Sequence, residues 1–381
     1  MRILQFIETG GPGGAESVVL SLCLSLQEKG VEVIVATLRE GWLTEQLDLH
    51  NIPRVKLPNK GKLALVKALI SLIKKEKIQI VHSHLLDSNF FASIAAKYCN
   101  IPHLACEHGD IHHISRRKFA SLKMKILSCL SSEIHAVSNF TKVALINNGV
   151  SSNKVKVKPN PYNFFESASD TFEVKSNTKN QNDRLSQYLH SSKIKSDTWV
   201  WIHVANFRKV KDQITLLRGY ASSNSRFKNP QCLLLVGDGE LRKDLEEEAN
   251  NLNISDEVFF LGFRKDVAHL LSLSDGFILS SISEAMPMSI LEASKAKLVI
   301  LSTRVGGIPE IIIDGKTGYL FTPGSPSELA EKIDFVINNQ ETARQCAEKA
   351  NHSLSQLCDT KKVVQDLLET YEHLLKKGNQ S

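Results

Sequence analysis

Two carboxylates carry the clearest chemistry in the chain. Glu284 and Glu292 lie in the stretch Ser280-Ser281-Ile282-Ser283-Glu284-Ala285-Met286-Pro287-Met288-Ser289-Ile290-Leu291-Glu292-Ala293. The apolar run Gly276–Leu279 before it reads as a buried strand. Pro287 suits the start of a helix, because its missing N–H has no intrahelical partner there and its φ is already set. Glu284 is then expected at the end of a strand and Glu292 on the following helix. Ligands of open parallel sheets bind beyond the carboxyl ends of the strands. Free N–H groups at Met288 and Ser289 would suit an anion such as a phosphate. Glu292 could accept hydrogen bonds from a ribose diol, and Glu284 could hold sugar hydroxyls. Taken alone, such a pair reads more readily as a capping and a solvent-facing glutamate, so the rest of the chain has to decide.

Other residues of the right type fall at expected strand ends. Arg208 and Lys211 follow Trp199–Val204, where they could neutralise a diphosphate. Thr9-Gly10-Gly11-Pro12-Gly13-Gly14-Ala15-Glu16 follows the first strand, and Gly306-Gly307-Ile308-Pro309-Glu310 forms a second glycine-rich turn. The first loop is not G-x-G-x-x-G and no Lys-Ser/Thr follows it, so neither a dinucleotide fingerprint nor a P-loop fits. Five histidines cluster in the first half: His82, His84, His108, His112 and His113. Without an H-E-x-x-H helix the zinc signal is weak, and His82, His112 and His113 read as satisfied loop residues. His108 stands out, since it follows a strand end, precedes a glycine and would face the edge of the Gly13-Gly14 loop.

These groups need a frame of alternating strands and helices. In the first half, strands are expected at Ile3–Ile7, Val31–Thr37, Ile78–Val81, Pro102–Cys106, Ile134–Val137 and Val155–Lys158, with helices after the glycine loop, over Ala64–Lys75 and over Asn89–Tyr98, and with Ser138 as a helix cap. The second half restarts at Trp199–Val204 and continues through Cys232–Val236, Val258–Leu261, Gly276–Leu279, Leu298–Leu301 and Tyr319–Phe321. The pattern implies an α/β protein with two doubly wound parallel sheets. Domains are expected at 1–165 and 196–360. Residues 166–195, rich in Ser, Asn, Lys, Asp and Gln, read as a linker or insertion. A final amphipathic helix over 361–381 is expected to return to the first domain, and two domains of like size imply a central cleft.

Composition narrows the classes. The 381 residues are 42% hydrophobic and 23% charged, ordinary for a globular chain. Seven cysteines without a C-x-x-C argue against a disulfide framework or zinc ribbon and for a reducing, cytoplasmic setting. No run is long and apolar enough to span a membrane, and the first strand is too short and too soon charged for a signal peptide. Residues 1–165 hold 21 Lys+Arg against 12 Asp+Glu, whereas the remainder holds 26 against 29. The basic half suggests an anionic surface or substrate. The alternately basic and apolar stretch Arg116–Leu127 could lie on an anionic membrane face, or be a core helix with a solvated side. Nucleic acid is not supported, for no zinc-finger spacing or aromatic-studded basic strand is present.

The residues resemble the family 4 retaining glycosyltransferases of the GT-B fold over roughly 1–165 and 197–377. The most specific part is Glu284 to Glu292, which looks like that family's E-x7-E signature. It is supported by Gly13-Gly14-Ala15-Glu16, Val81-His82-Ser83-His84, Glu107-His108-Gly109, Arg208 with Lys211, Val236-Gly237-Asp238-Gly239 and Gly306-Gly307-Ile308-Pro309-Glu310. The resemblance implies GT-B architecture, two Rossmann-like domains about a cleft, and transfer of a sugar from a nucleotide-diphosphate sugar. It implies that Arg208 and Lys211 hold the diphosphate, Glu292 the ribose and Glu284 the sugar, with backbone near Met288 and Ser289 at the phosphates or sugar. It places Gly13 and Gly14 toward the diphosphate, His108 at the transferred sugar and backbone around Phe263 and Arg264 at the base. Asn206 stands where many members have Arg, and Asn160-Pro161-Tyr162-Asn163 replaces the usual Asn-Gly. No Asp-x-Asp occurs, so no metal and no cofactor is expected, the cations and helix N-terminus supplying the electrostatics.

The acceptor is expected to be a glycan or lipid-linked precursor, with the protein cytoplasmic and peripheral on the membrane's inner face. Two other readings use the same residues: a nucleotide-sugar epimerase, and a donor-binding subunit without activity. A nicotinamide dehydrogenase lacks its glycine fingerprint.

Overall fold

The computed structural model describes residues 1–109, 120–161, 185–186, 188, 194–195, 197–227 and 229–378. The chain divides into two compact units, Met1–Phe164 with Leu357–Ser381, and Phe165–Gln356. The expected linker at 166–195 falls mostly outside the described residues, as do His112, His113 and the Arg116–Lys118 part of the basic stretch.

The first unit runs β1 (Arg2–Ile7), α1 (Gly14–Glu28), β2 (Glu32–Thr37), α2 (Trp42–Leu49), β3 (Arg54–Lys56), α3 (Lys62–Lys75), β4 (Ile80–His84), α4 (Leu86–Tyr98), β5 (His103–Glu107), α5 (Ala120–Leu130), β6 (Glu133–Ala136), α6 (Asn139–Asn147) and β7 (Val155–Val157). All strand pairs are parallel, in the order β3-β2-β1-β4-β5-β6-β7. The order reverses between β1 and β4, which makes the carboxyl ends of these two strands the switch point where parallel sheets bind ligands. The sequence pattern did not disclose α2 or β3. The latter is a three-residue edge strand with too few residues for a period to show.

Leu4, Phe6 and Val81 on one sheet face pack with Leu69, Leu72, Ala92 and Ala95 of α3 and α4. Side chains alternate across a strand, so Gln5, His82 and His84 point to the other face. His82 is therefore not a loop histidine: β4 continues through His84, and both rings are buried in the sheet. Ser138 caps α6 by accepting from Thr141 N at 3.2 Å.

The second unit contains β8 (Trp199–Val204), α7 (Gln213–Ser222), β9 (Gln231–Val236), α8 (Arg242–Asn251), β10 (Val258–Gly262), α9 (Val267–Ser272), β11 (Gly276–Leu279), α10 (Met288–Lys295), β12 (Val299–Thr303), α11 (Ile308–Ile311), β13 (Tyr319–Phe321), α12 (Pro326–Asn338) and α13 (Gln340–Leu357). Its parallel sheet has the order β10-β9-β8-β11-β12-β13, with the switch between β8 and β11. Trp201, Phe207, Leu216, Tyr220, Leu233 and Phe321 lie in one core cluster. Gly276 pairs with Trp201, and a Cβ there would stand 2.3 Å from the indole ring, so β11 starts on glycine because the ring fills that space. The last helix, α14 (Thr360–Gly378), belongs to the first unit and packs on α1.

Among the described residues five histidines are buried, His82, His84, His103 and His135 in the first unit and His203 in the second, and His108 is half-buried. Burial disfavours the charged ring. It pushes His103 down to about 3 and His108 and His203 to about 4, and lowers the other three as well. An unfolded histidine takes its proton near pH 6.5. Below that pH the unfolded chain binds protons that the folded chain refuses, so stability falls, by up to about 1.4 kcal/mol per pH unit for each such ring, until the folded pKa is reached. The first unit is expected to lose stability ahead of the second on going from about pH 7.5 to about pH 5.5. Hydrogen exchange resolved by peptide, with a urea series at each pH, measures this; equal protection of both units at both pH values contradicts it.

Candidate active site

Glu284 follows the carboxyl end of β11, and Lys211 follows that of β8. The Lys211 Nζ lies 2.6 Å from Glu284 Oε1, and Ser281 Oγ donates to the same oxygen at 2.7 Å. The pair is largely enclosed, with Glu284 buried and Lys211 half-buried. The two loops are also joined through backbone: Ile282 N donates to Val210 O at 2.8 Å, and Ser280 Oγ to Lys211 O at 2.9 Å. From below, Thr303 Oγ1 donates to Ser281 O at 2.6 Å.

Glycines make the close approaches. Gly307 N donates to Glu284 O at 3.0 Å. Gly306, at φ +56, sits so near that a Cβ would stand 1.8 Å from Glu284 O. Only glycine adopts this conformation without strain and leaves that space clear. Gly237, at φ +133, and Gly239 do the same for the β8 loop, where Cβ atoms would meet Ala205 O at 2.0 Å and Phe207 O at 2.4 Å. His203 Nδ1 donates to Ile278 O at 2.8 Å. Its Nε2 therefore accepts from Gln213 Nε2 at 3.2 Å, which ties α7 to β11.

Arg208 opens a short turn over Lys209–Lys211; it is exposed, and its guanidinium has no hydrogen bond or ion pair among the described residues. Among the described residues it is an open cation, three positions before Lys211. Pro287 caps α10 without a side-chain hydrogen bond, so the N–H groups of Met288 and Ser289 are left without intrahelical acceptors. Met288 is buried and Ser289 half-buried. Glu292, about one helical turn further on, is half-buried and has no side-chain partner among the described residues. Burial pushes its carboxyl up to about 7, which is not the behaviour of a solvent-facing glutamate. Arg264 follows β10, where Asp266 holds it at 2.8 Å through Nε and again through Nη2, and Tyr188 takes a further bond at 2.5 Å.

Gly13, Gly14 and His108 lie in the first unit. Gly13 is the cap of α1, in extended backbone, and its carbonyl accepts from Ser17 N and Oγ at 3.0 Å each. Gly14 is the first residue of that helix, directly above β1. His108 follows β5 and uses both ring nitrogens: Nε2 lies 2.9 Å from His84 Nδ1, and Nδ1 lies 3.2 Å from Asn160 Oδ1. Beside it, burial pushes Glu107 up to about 8. His82, His108, Cys106 and His135 line a cavity of about 200 Å³ closed by α1, α14 and the segment after β7. His82, His84 and Cys106 offer three ligand atoms within 4.8 Å. Both nitrogens of His84 are engaged by Gln5 and His108, however, and Nδ1 of His82 by Tyr371, so the cluster is built as a hydrogen-bonded network.

The structure thus brings Lys211, Glu284, Arg208, Met288, Ser289 and Glu292 onto two neighbouring loops and one helix of the second unit. Sequence reasoning missed Ser281, because outside a helix a three-residue spacing does not by itself announce a side-chain contact. It also passed over His84, whose alternation with His82 marked a shared sheet face.

The Glycosyltransferase Family 4 model matches residues 12–164, and the glycosyl transferases group 1 model matches residues 187–353. The chain is 34% identical over 177 residues to N-acetyl-alpha-D-glucosaminyl L-malate synthase of Bacillus anthracis, a match covering 46% of each chain. It is 28% identical over 290 residues to UDP-Gal:alpha-D-GlcNAc-diphosphoundecaprenol alpha-1,3-galactosyltransferase of Escherichia coli, covering 72% of this chain and 69% of that one. Its fold resembles that of Anabaena HepE, solved in complex with UDP and glucose, with a TM-score of 0.85 at 22% identity over 98% of this chain and 100% of that one. With a glycosyltransferase model matched in each half and two parallel-sheet α/β units in its structure, the chain belongs to the glycosyltransferases of the GT-B fold.

Proposed function

We propose that the protein moves a sugar from a nucleotide-diphosphate sugar to a lipid-linked or cell-surface polysaccharide precursor, with retention at the anomeric carbon and without a metal ion. The observation that carries this reading is the enclosed Lys211–Glu284 pair at 2.6 Å at the β8–β11 switch, with Arg208, unpartnered among the described residues, three positions before Lys211. Arg208, Lys211 and the Met288 and Ser289 amides are preorganised donors for a diphosphate as it gains charge. Glu284 accepts from hydroxyls of the donor sugar. Glu292, whose carboxyl burial pushes up to about 7, accepts from the ribose hydroxyls. Gly13 and Gly14 leave room for the diphosphate, His108 serves the transferred sugar, and the backbone around Arg264 serves the base. In the step itself the bond between the anomeric carbon and the diphosphate oxygen breaks. The acceptor oxygen bonds to that carbon on the same face, and its proton passes to the departing diphosphate. The complexes of HepE with UDP-glucose and with UDP support a nucleotide-sugar as donor.

The donor reading is tested by incubating purified protein with a panel of UDP-, GDP- and ADP-sugars, without metal, and following release of the nucleotide diphosphate. One donor is expected to be hydrolysed slowly. Conversion of the sugar with the nucleotide still attached would show an epimerase instead. Glu284→Gln should lower kcat by about 10²-fold or more; wild-type rates in that variant would sink the assignment.

Gly306→Ala separates position from charge. The new methyl cannot sit beside Glu284 O, so the Glu284 loop must move, at a cost of about 1–3 kcal/mol. Turnover should fall nearly as far as in Glu284→Gln although no charge is lost, with the melting temperature showing that the protein remains folded. Unchanged kcat in a folded Gly306→Ala protein contradicts the role given to this contact.

Peripheral membrane binding rests on the basic first 165 residues and on α5, which exposes Leu122 beside Lys123 and Lys125. No helix among the described residues is long and apolar enough to cross a membrane. Sedimentation with anionic vesicles is expected to exceed that with neutral vesicles and to decline with salt. Equal sedimentation counts against it.

A further inference from the structure

A chain of hydrogen bonds leads from the last helix to His108. Tyr371, fully buried on α14, has its hydroxyl 2.7 Å from His82 Nδ1 and 3.3 Å from Gln5 Nε2. Gln5 Oε1 lies 2.8 Å from His84 Nε2, His84 Nδ1 lies 2.9 Å from His108 Nε2, and His108 Nδ1 lies 3.2 Å from Asn160 Oδ1. The His84 and His108 rings are nearly parallel, at 24°.

Counting protons shows what such a chain requires. Between the Gln5 and Asn160 oxygens stand two imidazoles and three contacts. Each neutral imidazole brings one N–H, so two neutral rings supply two donors for three contacts. Either the pair holds one extra proton or one amide turns to present its NH2. Burial lowers both rings, His108 to about 4, and the neighbouring His82 and His135 act in the same direction on His84. At neutral pH the pair is therefore uncharged, and an amide must turn. Gln5 has the partner that permits it, because a phenol hydroxyl both donates and accepts. With Gln5 turned, Tyr371 donates to Gln5 Oε1 and accepts from His82 Nδ1–H. Gln5 then donates to His84, His84 Nδ1–H donates to His108 Nε2, and His108 Nδ1–H donates to Asn160. All the contacts are satisfied with neutral rings and the donors run in one direction.

We propose that His84 is the positioning residue for His108, fixing its ring and keeping its proton on Nδ1, and that Tyr371 sets the tautomer of His84 through Gln5. The consequence is chemical. The bond to Asn160 is the longer of the two on His108, so it is the one that gives way to a substrate. The nitrogen it exposes then carries the proton, and His108 meets a sugar hydroxyl as a donor. With the chain reversed, the same nitrogen would offer a lone pair. This rests on the placement of His108 at the transferred sugar. Among the described residues the groups facing the pair are Gln5 from β1, His82 from β4, Cys106 from β5, His135 with its Glu133 partner from β6, Asn160 after β7, and Tyr371 from α14. The Lys158–Asp366 pair and Lys362 line the adjoining cavity. Burial holds the Tyr371 phenol well above its ordinary pKa, so it stays protonated throughout.

The test is a 15N spectrum of the full-length protein with labelled histidine, in which His108 is assigned by loss of its signals in His108→Gln. The expected wild-type pattern at neutral pH is a protonated Nδ1 and an unprotonated Nε2. In Tyr371→Phe, which does not touch His108, the His108 signals should shift toward mixed tautomers. kcat should fall by about tenfold or more with KM for the nucleotide sugar little changed, the mark of an interaction made in the transition state. His84→Gln, which keeps an amide in place of the ring, should retain more activity than His84→Ala. A wild-type His108 protonated on Nε2, or a Tyr371→Phe spectrum identical to wild type, overturns the proposal. The wild-type spectrum needs no variant to fold and no turnover to be read. Absence of donor turnover would therefore sink the transferase reading, while the tautomer would still be decided.

Discussion

The second unit's site depends on one close approach: the carbonyl of Glu284 occupies space that a side chain at position 306 would need. Gly306 removes that side chain and Gly307 supplies an N–H to the same carbonyl. This contact fixes the backbone of Glu284, and the fixed backbone lets one carboxylate oxygen meet both Lys211 and Ser281. The ion pair by itself could not hold the loop. A pair this enclosed loses hydration roughly as fast as it gains attraction, so its geometry has to be imposed from outside. Here it is imposed by backbone hydrogen bonds and the Gly306 contact, and the pair's charges remain available to a ligand.

Both sheets place their chemistry by the same topological rule. In the first, β2 and β3 lie on one side of β1 while β4 lies on the other; in the second, β9 and β10 lie on one side of β8 while β11 lies on the other. At each reversal the two connecting chains leave in opposite directions, and the gap between them is free of helix. Gly13 and Gly14 stand above β1, and His84 ends β4. Arg208 and Lys211 stand above β8, and Glu284 above β11. The site residues are distant in sequence but neighbours in topology.

That rule is why much of the site was legible. Buried strands of parallel sheets are short apolar runs, and the polar or glycine-rich residue that breaks each run marks a carboxyl end. The Gly276–Leu279 run ending before Glu284 shows this, as does the Trp199–Val204 run ending before Arg208. The pattern fails where a strand carries polar residues inward. His82, Ser83 and His84 read as the end of β4 and are its buried continuation, because the feature that makes them tolerable inside is far off in sequence. Tyr371, the partner of His82, is 289 residues away, and no local pattern announces it. For the same reason Glu292 could be placed on its helix but not weighed, since its raised pKa comes from surrounding protein and not from its neighbours in the chain.

The histidine interior also explains the course of α14. A doubly wound sheet normally buries apolar side chains on both faces, and each polar group placed there costs free energy unless it is paired. The face carrying Gln5, His82 and His84 is paired chiefly by one hydroxyl, that of Tyr371. An apolar residue at 371 would bury as well or better, but it would leave one end of the Gln5 amide and His82 Nδ1 without a partner. The helix is thus bound to the sheet by polar bonds that specify its register along the face, in addition to Val364, Leu367 and Leu374, which only require it to be covered. Apolar contact tolerates a small slide of the helix, whereas a hydrogen bond to a particular ring nitrogen does not. His82, one of the residues that make the first unit sensitive to acid, is for this reason also one that fixes the position of its last helix.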